Sequence, residues 1–194
     1  MDGMRARFSL FQGHIDLAHS FWKKIVSPGD TVVDATCGNG FDSLVLAQLA
    51  LDHNRGHLFC FDIQNQAIEA TKGKLKEYPQ VTYIHGSHST IKEVLQDTQA
   101  KLIVYNLGYL PGAAKSITTK HTSTLESIEK ALLCLCPGGV ISITCYPGHD
   151  EGKIEESVIM QFCKSLSPAN WGVSSHSWPN RNNHPHLIFI QKPV

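Results

Sequence analysis

The segment DATCGNGFD, residues 34–42, decides the fold prediction, because it joins an apolar strand to a helix through two closely spaced glycines. The run TVVDA (31–35) is typical of a short buried strand, and a helical pattern of apolar residues begins at Phe41. Glycine at such a turn permits a sharp bend and lets a ligand approach the backbone. Ser43 replaces the third glycine of the dinucleotide-binding pattern G-x-G-x-x-G, so the two glycines alone are also compatible with a simple tight turn.

Short β-branched runs alternate with longer helical segments along the chain, which is typical of βαβ units and a parallel sheet. The last two strands follow each other without a helix, so they should pair as an antiparallel hairpin. A classical dinucleotide-binding domain would have another crossover helix there. The order therefore predicts an α/β fold of the class I S-adenosylmethionine-dependent methyltransferase type, which is Rossmann-like, with a seven-stranded, mostly parallel sheet, an antiparallel last strand and helices on both faces. The predicted strands are 31–35, 57–61, 81–85, 101–106, 140–146, 171–177 and 187–191, and the predicted helices are 15–26, 41–51, 65–78, 88–98, 119–136 and 153–166.

Length and composition predict one ordinary globular domain. The 194 residues are 42% hydrophobic and 18% charged, and they would divide into an N-terminal helical cap (1–29) and a Rossmann-like core (30–194). The 17 basic and 17 acidic residues cancel, which argues against wholesale electrostatic binding of nucleic acid but leaves room for a local basic face. No apolar run approaches the length of a membrane span, and the start lacks the apolar core of a signal peptide, so we expect a cytoplasmic protein, or a stromal one in a plastid.

Cysteine and histidine usage predicts no metal site. None of the six cysteines forms a Cys-x-x-Cys pair and most lie in apolar runs, so we expect buried, reduced thiols. The 11 histidines include no pair at i, i+4 spacing within a predicted helix, which argues against a helical metal-binding pair.

Polar residues end three consecutive predicted strands, where a parallel sheet places its ligand crevice. Asp34 at the end of the first strand could attract the ammonium group of a methionine moiety, and it would be a poor neighbour for a pyrophosphate. Asp62 at the end of the second could accept hydrogen bonds from both ribose hydroxyls. The small polar residues of HGSH (85–88) could meet an adenine edge. Each alone could be a solvated strand end, but together they favour S-adenosylmethionine as the cofactor, with NAD a distant second.

The segment NLGYLPG, residues 106–112, follows the fourth predicted strand and is the candidate catalytic tip. It resembles the Asn/Asp-Pro-Pro-Tyr/Phe tip of enzymes that methylate amino nitrogens. The amide oxygen of Asn106 could accept a hydrogen bond from an amine and aim its lone pair, and a neutral amide would not stabilise the unreactive ammonium form. Tyr109 could stack on a flipped base. Without the cofactor pattern, the alternative is that Asn106 caps the strand and Tyr109 belongs to the core.

Several further residues are candidates for substrate contact. Lys115 and Thr119 lie in a hydroxyl-rich basic segment that could hold RNA phosphates, although the same segment could simply begin a helix. Tyr146 and His149 lie in YPGHDEG (146–152), where they could contact the substrate base or hold the loop; His149 as a general base has no visible partner. Arg181 lies in the final hairpin loop, where it could contact a phosphate or simply belong to a turn. The predicted substrate residues are Leu107, Gly108, Lys115, Thr119, Tyr146, His149 and Arg181.

The segments DATCGNGFDS, FDIQNQAI, NLGYLPG, TKHTSTLES, PGG and YPGHDEG occur in this order, and together they resemble the bacterial and plastid family long labelled "putative rRNA methylase" (YtqB-like). Members of that family are identified as MnmM, the tRNA (5-aminomethyl-2-thiouridine) methyltransferase. The resemblance extends over nearly the whole chain, with a mild departure at Phe41 and Ser43, where relatives tend to have His or Tyr, and Thr. It implies S-adenosylmethionine as donor and methylation of the exocyclic amine on the tRNA wobble uridine. The cofactor residues that it implies are Asp34, Gly38, Asn39, Gly40, Asp42, Asp62, Gln64, Ser87, His88 and Asn106.

The sequence is also compatible with three other functions. The first is methylation of another target, such as ribosomal RNA, a protein or a small amine, because a fold fixes substrate weakly. The second is a cofactor-binding module without catalysis, which would not need the Asn106-x-x-Tyr109 pair. The third is an NAD-linked oxidoreductase, which Asp34 and Ser43 disfavour. With zero net charge, a tRNA enzyme would recognise one anticodon loop through local contacts and stacking, and a homodimer could add a composite surface.

Overall fold

The computed structural model describes residues 11–110, 112 and 118–194, and these residues form six α-helices and one seven-stranded sheet. The strands are β1 (Thr31–Asp34), β2 (His57–Asp62), β3 (Val81–His85), β4 (Ala100–Asn106), β5 (Leu135–Cys145), β6 (Gly172–His176) and β7 (His186–Gln191). The helices are α1 (His14–Ile25), α2 (Phe41–Ala50), α3 (Asn65–Lys74), α4 (Ile91–Leu95), α5 (His121–Cys134) and α6 (Asp150–Ser165).

The sheet has the order β3-β2-β1-β4-β5-β7-β6. The strands β1 to β5 pair in parallel, and β7 is antiparallel to both β5 and β6. This arrangement confirms the predicted class I methyltransferase fold. The sequence predicted the closing hairpin, whereas the insertion of β7 between β5 and β6 appears only in the structure. The strand order reverses between β1 and β4, so the carboxyl ends of these two strands flank the crevice where open α/β sheets bind ligands.

Alternation of side chains along the strands separates the core into two layers. Val32 of β1 and Leu102 of β4 pack with α1, α2 and α3 on one face. Val33 and Ile103, the next residues along each strand, pack with α4, α5 and α6 on the other. Side chains on both faces of β1 and β4 are mostly buried, which explains why these central strands read as continuous apolar runs in the sequence.

Helix α1 is part of the core rather than an appendage. Ala18 and Trp22 are buried against the sheet, and the indole Nε1 of Trp22 donates a 3.0 Å hydrogen bond to Ser142 Oγ on β5. This packing fixes the rotation of α1, and it brings His19 to the carboxyl ends of the strands.

Helix α6 and strand β5 begin at other residues than predicted, for local reasons. Helix α6 begins earlier than predicted because His149 caps it, with Nδ1 accepting a 3.0 Å bond from the backbone N–H of Gly152. Strand β5 begins at Leu135, so Pro137 lies inside it rather than before it. The pairing of β5 with β4 shifts register opposite Lys101, and a proline is tolerated at such an irregularity because the ladder is interrupted there.

Several other predicted helices are shorter in the structure. Helix α3 ends at Lys74 instead of 78, and the predicted helix 88–98 is a 3-10 turn (His88–Thr90) followed by the short α4. Helix α5 begins at His121 instead of 119, since the Thr119 hydroxyl is used elsewhere in the fold.

All six cysteines lie in the described residues; none forms a disulfide, and all except Cys136 are buried. The same part of the chain contains no cluster of three or more potential metal-ligating side chains. No helix in it has the length and apolar character that a membrane crossing requires.

Candidate active site

A cavity of about 820 Å³ lies over the carboxyl ends of β1, β2, β4 and β5. We call the residues around β1 and β2 the β1–β2 side and those around β4 and β5 the β4–β5 side. Of the residues predicted from the sequence, the cavity is lined by Gly38, Asn39, Asp42, Asp62, Gln64, Ser87, His88, Asn106, Leu107, Gly108, Tyr109, Thr119, Tyr146 and His149. Asp34, Gly40 and Arg181 are not part of this lining, and Lys115 lies outside the described residues.

The loop after β1 has a backbone that only glycine adopts readily. Gly38 and Gly40 have φ angles of 51° and 75°, in the left-handed region. A Cβ on Gly40 would lie 2.9 Å from the Cα of Thr71, so this glycine also allows α3 to approach the loop. The backbone N–H of Cys37 bonds to the carbonyl of Phe61 at 2.9 Å, which ties the loop to β2.

Asp62 is held by the loop that it helps to form. One carboxylate oxygen accepts the backbone N–H of Gly38 at 3.0 Å, and the other accepts that of Gln64 at 2.8 Å. Burial raises the pKa of Asp62, and the backbone hydrogen bonds oppose that shift. Each oxygen keeps a further lone pair, so the carboxylate is fixed in place and still able to accept hydroxyl groups from the cavity.

Asp34 lies beneath the loop rather than on the cavity wall. Its side chain is fully buried, and it accepts a 2.6 Å hydrogen bond from the hydroxyl of Ser43. Burial, reinforced by the negative charge of nearby Asp42, raises the pKa of Asp34 to about 7. The expectation that Asp34 meets a ligand ammonium directly is therefore not supported, because the carboxyl has no exposed surface. Ser43, which breaks the dinucleotide-binding pattern, is its hydrogen-bond partner.

His88 contributes a neutral imidazole to the β1–β2 side. Burial lowers its pKa to about 4, so the ring carries no charge at neutral pH. Its Nδ1 is buried and has no hydrogen-bond partner among the described residues. A buried polar atom without a partner costs free energy, which a ligand from the cavity could recover.

On the β4–β5 side, Asn106 is oriented by Asp42. The amide Nδ2 donates a 2.5 Å hydrogen bond to one carboxylate oxygen of Asp42, while His19 Nε2 lies 2.6 Å from the other. The backbone N–H of Asn106 donates to the Thr36 hydroxyl at 2.7 Å. Because the amide nitrogen is engaged, the amide oxygen is the group of Asn106 left to accept a hydrogen bond. His19 came from no sequence motif, because α1 reaches the cavity only through the tertiary fold.

The tip after β4 is held by a buried acid from α6. The hydroxyl of Thr119 donates to Glu155 Oε2 at 2.8 Å and accepts the backbone N–H of Gly108 at 2.9 Å. Thr124 donates to the other oxygen of Glu155 at 2.6 Å. Burial raises the pKa of Glu155. The single hydroxyl proton of Thr119 is thus already used, which argues against the expected role of Thr119 as a donor to a phosphate.

Tyr109 and His149 face each other across the mouth of the cavity. Their ring centroids are 5.8 Å apart, and the ring planes are tilted by 52°. Since His149 Nδ1 accepts the N–H of Gly152, a neutral His149 carries its proton on Nε2. That leaves no free basic nitrogen, so the structure favours the loop-holding role for His149 over the general-base role.

Tyr146 joins the far wall of the cavity to α1. Its hydroxyl lies 3.1 Å from Nε2 of His14, and the two rings meet edge to face at 5.5 Å between centroids. Burial raises the pKa of Tyr146 to about 12, so the phenol stays protonated. His14, like His19, was missed by sequence reasoning because α1 lies far from β5 in the chain.

Comparisons of this chain with a family model and with known proteins agree on one family. Residues 58–192 match the model of the family described as "Putative rRNA methylase". The chain is 35% identical over 187 residues to the chloroplastic tRNA (mnm(5)s(2)U34)-methyltransferase of Arabidopsis thaliana, covering 91% of this chain and 68% of that protein.

Two solved structures share the fold closely. One is a "putative rRNA-methylase" from Clostridium thermocellum, with a TM-score of 0.89, 36% identity and coverage of 94% of this chain and 98% of that one. The other is a "putative methyltransferase" from Streptococcus mutans in complex with SAH, with a TM-score of 0.84, 31% identity and coverage of 94% and 99%.

Proposed function

Because the chain belongs to the family described as "Putative rRNA methylase", we propose that it is a methyltransferase that N-methylates the aminomethyl group of 5-aminomethyl-2-thiouridine at the tRNA wobble position. The product would be 5-methylaminomethyl-2-thiouridine, and the methyl donor is S-adenosylmethionine. The relative from Arabidopsis carries that modified uridine in its name, and the Streptococcus structure holds SAH, the demethylated form of the donor.

The observation that carries the proposal is the fixed amide of Asn106. Its nitrogen is bound to Asp42, so its oxygen is available at the cavity to accept an N–H from an amine. With that N–H engaged, the amine lone pair takes a defined direction. Positioning of this kind can lower a barrier by roughly 7–11 kcal/mol.

An aliphatic amine must lose a proton before it can attack. A partly dry cavity favours the neutral form, because burial disfavours a charged ammonium. The carboxylate of Asp42 would oppose this effect, but both of its oxygens already accept hydrogen bonds, from Asn106 and from His19. The sulfonium of the donor supplies an activated methyl group, so the protein has mainly to orient the amine and exclude water.

The β1–β2 side fits the donor. Asp62, preoriented by two backbone amides, would accept the ribose hydroxyls, and the glycine loop would let the donor approach the backbone. The unpartnered Nδ1 of His88 would gain a partner from the adenosine end. We therefore propose that the donor is held by Gly38, Asn39, Asp42, Asp62, Gln64, Ser87, His88 and Asn106, with Asp34 and Gly40 supporting the loop from behind.

On the β4–β5 side, Tyr109 would stack on the flipped uracil ring, since it is 38% exposed and lines the cavity. Leu107, Gly108 and Tyr146 would form the walls around the base. Thr119 and His149 would hold this side in shape through Glu155 and Gly152 rather than touch the RNA.

A second candidate is methylation of ribosomal RNA. The description of the matching family and the name of the Clostridium structure favour it. The same Asn106 geometry would serve an amino group on an rRNA base, so the cavity by itself does not separate the two substrates.

We propose one catalytic unit made of the cap (1–29) and the core (30–194), working in the cytoplasm or in the plastid stroma. A homodimer would present a composite RNA surface, and size-exclusion chromatography with light scattering would test that part separately.

The proposed function is tested by incubating the protein with labelled S-adenosylmethionine and tRNA from a strain blocked at the aminomethyl step. Nucleoside mass spectrometry should find one added methyl on 5-aminomethyl-2-thiouridine. Ribosomal RNA from the same strain provides the parallel substrate. Transfer to rRNA alone would replace the tRNA assignment with the second candidate, and absence of transfer to either would reject RNA methylation.

A further inference from the structure

A row of aromatic side chains leads from the cavity mouth onto the β6–β7 hairpin. We call Tyr146, His14, His184 and Trp178 the aromatic row. Neighbouring ring centroids are 5.5 Å, 6.1 Å and 5.7 Å apart in that order. The guanidinium carbon of Arg181 lies 3.9 Å from the Trp178 ring centroid, so the row ends in a stacked cation.

The aromatic row is continuous with the proposed site. Tyr146 lines the cavity, as does Asn183, which directly precedes His184. Asn183 has a φ of 55°, a left-handed conformation that asparagine tolerates better than most residues. The hairpin loop therefore faces the cavity at Asn183. The aromatic row begins at the cavity wall, next to the place proposed for the bound base.

The aromatic row carries little charge, so it is better suited to stacking on bases than to attracting RNA electrostatically. Burial lowers the pKa of His14, and neighbouring His184 lowers it further, so this imidazole is neutral at neutral pH. Arg181 is exposed and brings a guanidinium, which can stack on a ring and contact a phosphate at once. The chain as a whole carries no net charge, so an RNA ligand needs such local contacts.

We infer that the aromatic row and Arg181 bind the nucleotides that flank the target uridine, with an unpaired base stacked on Trp178 and an adjacent phosphate contacted by Arg181. This inference rests on the proposed function, because it takes tRNA as the substrate. Flat aromatic faces beside one guanidinium match single-stranded nucleotides, whose bases stack with little dependence on sequence. The site would explain how a chain with no net charge holds an anticodon loop.

The test uses Trp178→Ala and Arg181→Gln, with tRNA that bears unmethylated 5-aminomethyl-2-thiouridine as the substrate. Loss of a stacking platform should raise KM for tRNA about tenfold in Trp178→Ala, and Trp178→Phe should restore most of it. Arg181→Gln should raise KM by a smaller factor. It should also reduce the slope of log affinity for tRNA against log salt concentration by about 1. In all three variants, kcat and the Kd for SAH should stay at wild-type values.

Arg55→Gln provides the matched control. Arg55 is an exposed arginine that pairs with Asp52 near the start of β2, at the opposite edge of the sheet from the cavity. Its removal should leave KM for tRNA and the salt dependence unchanged.

Distinct outcomes would overturn the inference. If the wild type methylates tRNA and both Trp178→Ala and Arg181→Gln keep its KM, the flanking site is rejected while the proposed function stands. A loss of SAH affinity equal to the loss of tRNA affinity would make the row a structural element only. If the wild type transfers no methyl to tRNA, the proposed function and the flanking site both fall.

Discussion

The β1–β2 side and the β4–β5 side of the cavity are built from different kinds of hydrogen bonds. On the β1–β2 side, backbone amides of Gly38 and Gln64 fix Asp62; Gly38 lies 24 positions before Asp62, and Gln64 lies two positions after it. On the β4–β5 side, side chains fix side chains across the chain: Asn106 and Asp42 are 64 positions apart. The first side is thus set by local chain geometry, and the second depends on the completed tertiary fold.

The largest expected effect on methyl transfer comes from breaking the backbone of the β1–β2 side with Gly40→Ala. A left-handed conformation costs a non-glycine residue about 1–2 kcal/mol, and overlap with α3 adds about 1–3 kcal/mol. We expect lower free energy of unfolding and loss of donor binding, measured by denaturant titration and calorimetry.

Gly73→Ala is the control for that change. A Cβ at Gly73 would meet no atom within 4 Å, and the residue lies in α3 without a positive φ. This variant should bind the donor normally and gain up to about 1 kcal/mol of stability. Equal behaviour of the two variants would contradict the role given to the Gly40 backbone.

A middle-sized effect should follow from loosening the β4–β5 side with His19→Ala. Asp42 would lose one of its two partners, and Asn106 would be held less firmly. We expect kcat to fall about tenfold, corresponding to about 1.4 kcal/mol, with donor affinity nearly unchanged. Steady-state kinetics and calorimetry together separate these quantities.

His57→Gln is the matched histidine control. His57 bonds to Thr82 at the opposite edge of the sheet, so its replacement should leave kcat unchanged. A normal kcat in His19→Ala would show that Asp42 orients Asn106 without help from α1.

The smallest effect on methyl transfer is expected for Asp34→Asn. This variant should instead change how the free energy of unfolding depends on pH. The pKa of Asp34 is about 7 in the folded chain against an ordinary value of 3.8, so the folded state favours the protonated form. The protonated Asp34 therefore contributes to the free energy of unfolding. This contribution is fully present below pH 3.8 and is lost as the pH rises through about 7. The stability advantage of Asp34→Asn over the wild type should therefore grow over this range, by up to about 1.4 kcal/mol per pH unit.

Chemical denaturation between pH 4 and pH 8 measures this difference. A constant difference between the two proteins would contradict the raised pKa. Loss of donor binding in Asp34→Asn at every pH would instead restore the direct methionine contact that the sequence suggested.

The same contrast explains what could be predicted from the sequence. The strand ends, the glycine loop and Asp62 follow from chain order, because consecutive parallel strands place their carboxyl ends at one edge. His19 could not be found that way, since it reaches the cavity from α1 through packing. The same holds for His14 and Glu155, which contact the cavity residues Tyr146 and Thr119 from α1 and α6. The sequence also does not show that Asp34 is fully buried and accepts a hydrogen bond from Ser43.

Thr119 illustrates the limit of residue type as a guide. A hydroxyl in a basic segment suggested a phosphate contact, but a buried carboxylate 36 positions away uses its only proton. The pairing depends on where α6 packs against α5, which no local pattern in the sequence encodes.

The most direct test of the account compares Asp62→Ala with Asn106→Ala in one experiment, measuring donor affinity by calorimetry and methyl transfer to tRNA by mass spectrometry. Asp62→Ala should lose donor binding while remaining folded. Asn106→Ala should still bind the donor, because Asp62 and the glycine loop are intact, and its methyl transfer at saturating donor should fall by about 10²–10³-fold, as expected when one preorganised hydrogen-bonding group is removed. Wild-type turnover by Asn106→Ala would contradict the central claim that this amide aims the amine.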